Sequence, residues 1–166
     1  NGFTTGVQPI ISYNFGAGSF DRVKMTIRRM ISVTFLAAFL YVVFAMLRPG
    51  VFARLFTTDE ELIALVKKVL PVYMCGMSVF GIQSGIQSSF LGLGQAKISL
   101  CIALLRKVFL LIPMALILPH FFGVMGVYYA EPVADLISVA IASALFLLNI
   151  RKILSKEMLA KVTHTA

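Results

Sequence analysis

Charge is scarce in this sequence: Asp, Glu, Lys and Arg make up 13% of its 166 residues, about half the roughly 25% of a soluble domain. Acid is scarcer than base, with 7 acidic against 15 basic side chains. Tryptophan is absent, and there are only two cysteines and two histidines. With so few polar groups, a water-soluble fold of this length could not cover its exterior. Cys75 and Cys101 both fall in apolar stretches, where small apolar fillers with inert thiols are expected, not a disulfide or a metal site. His120 and His164 have no Cys, Asp or Glu at metal-ligand spacing. No Ser, Cys or Lys sits beside a general base within a recognisable motif. Gly16-Ala17-Gly18 lacks both the third glycine and the preceding strand of a dinucleotide fingerprint. Hence no catalytic residue, metal site or cofactor is expected, and the chain does not read as an enzyme.

What is there is apolar. Hydrophobic residues reach 59% and mean hydropathy is +0.92, so a lipid bilayer is the solvent that fits and membrane lipids are the first partner. The formal net charge of +8 does not form a nucleic-acid stripe. Basic residues sit between long uncharged runs, as loop anchors do. The predicted fold class is all-α, a polytopic membrane helix bundle. Transmembrane helices are expected at about 30–47, 69–95, 98–119 and 124–150, each near the length needed to cross. Residues 1–17 read as the end of a further helix, stopped by Gly16-Ala17-Gly18, and the absence of an initiator Met suggests the tail of something longer. Thr58-Asp59-Glu60-Glu61 matches a capping box that starts the helix leading into the second run. The boundary between the last two spans is expected at 119–123, where proline and glycine punctuate.

Lys and Arg then give an orientation. The loop at 18–29 carries Arg22, Lys24, Arg28 and Arg29, and the segment at 48–61 offsets Arg48 and Arg54 with three acids. Lys97 follows the second span, nothing basic lies in 119–125, and the tail at 151–166 carries Arg151, Lys152, Lys156 and Lys161. This alternation follows the positive-inside rule and predicts a cell-membrane, multi-pass protein with 18–29, the Lys97 turn and the C-terminus in the cytoplasm.

Several side chains could carry chemistry. Gly81, Gly85 and Ser89 line one face at four-residue spacing and would let a neighbouring helix approach closely. Gln83 and Gln87 share another face. Either they form a polar stripe facing a substrate, or they make interhelical hydrogen bonds of roughly 0.6 kcal/mol each. Gln8 and Ser12 face together on the first helix, which Pro9 is expected to bend. Asn14 is placed to cap it. Glu131 and Asp135, four apart, are the acids with a claim to lie in the membrane. A carboxylate near mid-bilayer costs about 2.5–3.5 kcal/mol and needs a partner, a proton or a hydrated cavity. Asp135 is the deeper and the candidate for proton or cation binding; alternatively both are hydrated near the outer interface. Arg106 could pair with an acid or snorkel to the cytoplasmic headgroups, and snorkelling is the preferred reading.

Gly6-Val7-Gln8-Pro9-Ile10-Ile11-Ser12-Tyr13-Asn14-Phe15-Gly16-Ala17-Gly18, followed by Arg22-Val23-Lys24, resembles a stretch of the MATE (multidrug and toxin extrusion) transporters, in particular the DinF/MepA-like branch. Leu91-Gly92-Leu93-Gly94-Gln95-Ala96, Arg106 with Ile112-Pro113 and Leu118-Pro119, and Gly123-Val124-Met125-Gly126-Val127-Tyr128 with Pro132-Val133-Ala134-Asp135 resemble later parts of that family in the same order. The resemblance implies part of the C-terminal lobe of a twelve-helix transporter, from the end of the eighth helix to the twelfth. It implies a missing N-terminal lobe as partner and a drug-like, cationic amphipathic small-molecule substrate exchanged for Na+ or H+ by alternating access. Under it Gln8, Ser12, Gln83 and Gln87 are candidate substrate-binding residues, Asp135 and Glu131 candidate ion-coupling residues. A lipid-linked oligosaccharide flippase of related architecture and a non-transport membrane scaffold are the alternatives.

Overall fold

The computed structural model describes residues 2–165, with side chains through Ser155 apart from Phe52. The described chain is helical: α1 (Gly2–Gly16), α2 (Phe20–Leu47), the short α3 (Pro49–Arg54), α4 (Glu60–Gly92), α5 (Ala96–Leu104), a π-helical segment (Leu105–Leu111), α6 (Ile112–Phe122) and α7 (Val124–Thr165). Among the described residues, four helical stretches are long and apolar enough to cross a membrane: Phe20–Leu47, Glu60–Gly92, Ala96–Phe122 and Val124–Ser155. Their outward faces carry Phe39, Phe44, Leu47, Phe109, Leu116, Leu147 and Leu148 exposed, a surface stable against lipid and costly against water.

The helix ends follow local chemistry. After α1 the chain turns through Gly18 at φ +73°, a left-handed geometry open to glycine. Asp59 caps α4 by accepting from the backbone N–H of Glu61 and Leu62. The cap thus falls on Asp59, with the Thr57 hydroxyl accepting from Asp59 N–H, one step beyond the Thr58 position expected for a capping box. Gly123, at φ +58°, separates α6 from α7. The final helix runs on through the basic segment, so residues 151–165 are helical instead of forming a loose tail.

α4 is the centre of the bundle, and small residues let three neighbours approach it. A Cβ at Gly81 would lie 2.5 Å from the Thr34 carbonyl oxygen of α2, and one at Gly85 would lie 2.8 Å from Ile31 Cγ1. The Gly-xxx-Gly face is therefore the α2 contact. Gly92 performs the same service for α1 at Ile11, and Gly76 for α7 at Pro132. One end of the bundle is tied by a cluster of Ile11, Phe20, Val23, Ile27, Met30, Leu93 and Leu154. The segment 18–29, expected as a basic loop, is instead helical from Phe20 on and forms the first turns of α2, whose Phe20, Val23 and Ile27 find apolar partners to pack on. The cluster puts this start of α2, the turn before Lys97 and the Arg151–Lys152 region of α7 at the same end.

Candidate functional site

Arg106 and Asp135 enter the bundle from opposite ends and meet inside it. Arg106 lies ten residues beyond Ala96 and Asp135 eleven beyond Val124, or about 15 Å and 16–17 Å along their helices. Together these depths match the roughly 30 Å hydrocarbon core, so the meeting point is near mid-membrane. There Arg106 Nε donates to Asp135 Oδ1 at 2.6 Å, and Arg106 Nη2 lies 3.6 Å from Glu131 Oε1. The guanidinium also rests over the Phe80 ring of α4, with Cζ 4.6 Å from the centroid, a cation–π contact strengthened by desolvation. The Tyr73 hydroxyl donates to Glu131 Oε2 at 2.9 Å. Three helical stretches thus contribute to one cluster: Tyr73 and Phe80 from α4, Arg106 from the π segment, and Glu131 and Asp135 from α7.

The burial is graded. The Asp135 side chain is 1% exposed, Arg106 13% and Glu131 24%. Snorkelling of Arg106 is therefore corrected: its head turns inward. Two carboxylates at its own depth, plus an aromatic face, satisfy the guanidinium better than a long reach to the headgroups. The cluster holds two acids and one base, leaving one formal negative charge. The π segment contributes to this geometry. Pro113 gives no N–H to the helix ladder, and the turns just before it widen to π spacing where Arg106 points at α7. Wide turns of this kind are rare and frequently accompany functional sites.

The other candidate residues are dispersed. The Ser12 hydroxyl donates to the Gly92 carbonyl at 2.9 Å, tying α1 to α4, and also lies 3.2 Å from the Gln8 carbonyl. Gln87 and Ser99 join α4 to α5 through reciprocal side chain–backbone contacts of 3.4 Å. Gln83 is 1% exposed. Gln8 is half-buried. Asn14 donates to the Ile10 carbonyl within α1. The four polar residues at 8, 12, 83 and 87 therefore do not line one open face of the chain. Tyr73 and Phe80 were missed in the sequence. The one available signal was their placement, seven residues apart and hence on one face of α4.

Comparison with known proteins follows this architecture. The family model described as MatE matches residues 1–117. An FAD transporter of Shewanella oneidensis is 28% identical over 137 residues, covering 81% of this chain and 30% of that protein. The multidrug export protein MepA of Staphylococcus aureus is 28% identical over 140 residues, with 81% and 29% covered. Among solved structures, the MATE multidrug transporter DinF-BH superposes with a TM-score of 0.84 at 32% identity, covering 92% of this chain and 34% of that one. The bent form of the Vibrio cholerae MATE transporter VcmN, at 22% identity and a TM-score of 0.80, covers 94% and 35% and shares the fold. The chain spans about 30% of the length of the curated relatives it matches. With a family match over well more than half its residues, and a multi-pass membrane fold to go with it, this chain belongs to the MATE family.

Proposed function

We propose that this chain forms most of the C-terminal lobe of an ion-coupled efflux antiporter that exports cationic amphipathic compounds by alternating access, with its C-terminus in the cytoplasm. The observation that carries the reading is the mid-membrane cluster of Arg106, Asp135 and Glu131. An uncompensated negative charge at that depth is costly, so the cluster is suited to respond to H+ or Na+ in the intact protein. Midplane charge on discontinuous helices at a lobe interface is the general pattern of coupled transporters. Gln8 is the foremost candidate to meet the cargo, because Ser12 and Gln87 already tie helices together. Gln83, buried against α7, would act on the shape of the cavity from behind.

The test uses the full-length protein in cells deprived of their own efflux pumps. Expression is expected to lower ethidium accumulation while an ion gradient stands, and collapse of that gradient is expected to abolish the effect. Asp135→Asn should uncouple efflux from the gradient. Unchanged accumulation of every lipophilic cation tried, with the protein present in the membrane, overturns the reading.

A second reading, export of an anionic dinucleotide, rests on the similarity to the FAD transporter. It and the oligosaccharide flippase both call for free cationic side chains. Arg106 is engaged with two carboxylates, which favours cationic cargo. FAD release from the same cells, measured beside dye efflux, separates the two.

A further inference from the structure

Three buried oxygens on two adjacent helices have no hydrogen-bond partner among the described residues: Gln83 Oε1 of α4, and Asp135 Oδ2 and Ser138 Oγ of α7. Gln83 and Asp135 are each 1% exposed and Ser138 is 0%. A bare polar atom of this kind costs about 1–3 kcal/mol, and lipid offers nothing to relieve it.

The register brings the three together. Gly76 packs on Pro132, and Phe90 meets Phe146 edge to face, so both pairs share an offset of 56 and the helices run in parallel. Gln83 is seven residues beyond Gly76, two turns along the same face of α4. It is therefore level with residues 138–139, and its side chain leans back toward the start of its helix. Asp135 and Ser138, three apart, are neighbours on the α7 face. Gly76 lets α7 pack close at this level, bringing the acid against α4: a Cβ there would lie 2.6 Å from Pro132 Cα and 3.3 Å from Asp135 Oδ2.

We propose that Gln83, Asp135 and Ser138 enclose a buried water site on the seam between α4 and α7. Counting donors and acceptors selects the occupant. The amide and carboxylate oxygens only accept, and the hydroxyl has one proton to give. The set lacks two donors and one acceptor, and a single water supplies both: its two O–H groups go to Gln83 and Asp135, and its oxygen accepts from Ser138. Buried waters typically make about three such bonds. A bare cation would leave the Ser138 proton without an acceptor, and Arg106 already brings positive charge to the other oxygen of Asp135. The water completes the hydrogen bonding of Asp135 on the side away from Arg106. The inference rests on burial in the membrane and holds whatever the cargo is.

The decisive experiment is a density map of the full-length protein in lipid nanodiscs, at a resolution that shows ordered water, recorded in sodium-free choline buffer and again in sodium. A peak about 2.7–3.0 Å from all three oxygens, present in both buffers, is the expected result. The peak is expected to vanish from the Ser138→Ala, Gln83→Leu double variant. A seam with clear side chains and no peak overturns the proposal, and so does a peak seen only in sodium, which would mark a cation. Should the double variant fail to fold, the two wild-type maps decide by themselves.

Discussion

Arg106 and Asp135, 29 positions apart in the chain, are joined by a 2.6 Å hydrogen bond between Nε and Oδ1 at the middle of the apolar slab. Neither charge is tolerable there alone, and the pair fixes how the π segment sits against α7.

Removing one partner should therefore hurt more than removing the whole cluster. Breaking a buried pair typically costs about 3–5 kcal/mol, whereas replacing all of its charges with apolar or neutral groups of similar volume is often close to neutral. Arg106→Met is expected to lower the unfolding temperature of the full-length protein sharply. The combination of Arg106→Met, Asp135→Leu and Glu131→Gln is expected to recover most of that loss. Thermal unfolding in detergent, followed by size-exclusion chromatography, measures both. A triple variant no more stable than the single one would contradict mutual support between the charges of this cluster.

Tyr73 gives a smaller effect. Its hydroxyl donates to Glu131 Oε2, and hydrogen bonds to charged groups are worth about 1.5–3 kcal/mol. Glu131 keeps 24% of its side-chain exposure, so Tyr73→Phe should fall at the low end. In the Glu131→Gln background the same substitution should cost clearly less, because a neutral amide binds the phenol more weakly. Equal costs in the two backgrounds would mean that the hydroxyl is not engaged with the acid.

The four apolar spans and the turn after α1 were legible because each rests on a local signal: uncharged runs of bilayer length, and Gly18 at a left-handed turn. The start of α2 at Phe20 was not, because its first turns carry the basic residues that read as a loop. The Gly81–Gly85 face was legible too, since small residues at four-residue spacing have one strong use in a membrane. The direction of Arg106 was not. A basic residue deep in a span can reach outward or pair inward, and the choice depends on the depth of acids 25 and 29 positions away, which no local pattern encodes. For the same reason the polar groups of Ser12 and Gln87 could be placed on helix faces from the sequence, while their partners, the Gly92 and Ser99 carbonyls, came only with the packing.

Orientation can be tested by labelling. The start of α2, Lys97 and the Arg151 region share one end of the bundle, while Phe121 lies at the far end of the Ala96–Phe122 stretch and is exposed. In a background carrying Cys75→Ser and Cys101→Ser, an impermeant maleimide added to intact cells should modify Phe121→Cys. Lys97→Cys should react only after permeabilisation, as the positive-inside rule requires. The reverse pattern would turn the whole bundle over.

Close packing around α4 yields a graded series at glycine. At Gly81 an added methyl would sit 2.5 Å from the Thr34 carbonyl oxygen, which is backbone and cannot step aside without moving α2. Overpacking of that kind costs about 1–3 kcal/mol, so Gly81→Ala is expected to destabilise. At Gly85 the near atom is Ile31 Cγ1 at 2.8 Å and the nearest backbone atom is Ile31 Cα at 3.3 Å, a looser backbone contact than at Gly81, so Gly85→Ala should cost less. Gly6 has nothing within 4 Å and lies inside α1, where alanine gains up to about 1 kcal/mol in helix propensity. Gly6→Ala should therefore be neutral or stabilising. Unfolding temperatures in the order Gly6→Ala, Gly85→Ala, Gly81→Ala, from highest to lowest, are what backbone contact between α2 and α4 demands. If Gly81→Ala proved as harmless as Gly6→Ala, the two helices could not be packed with the Thr34 carbonyl against Gly81.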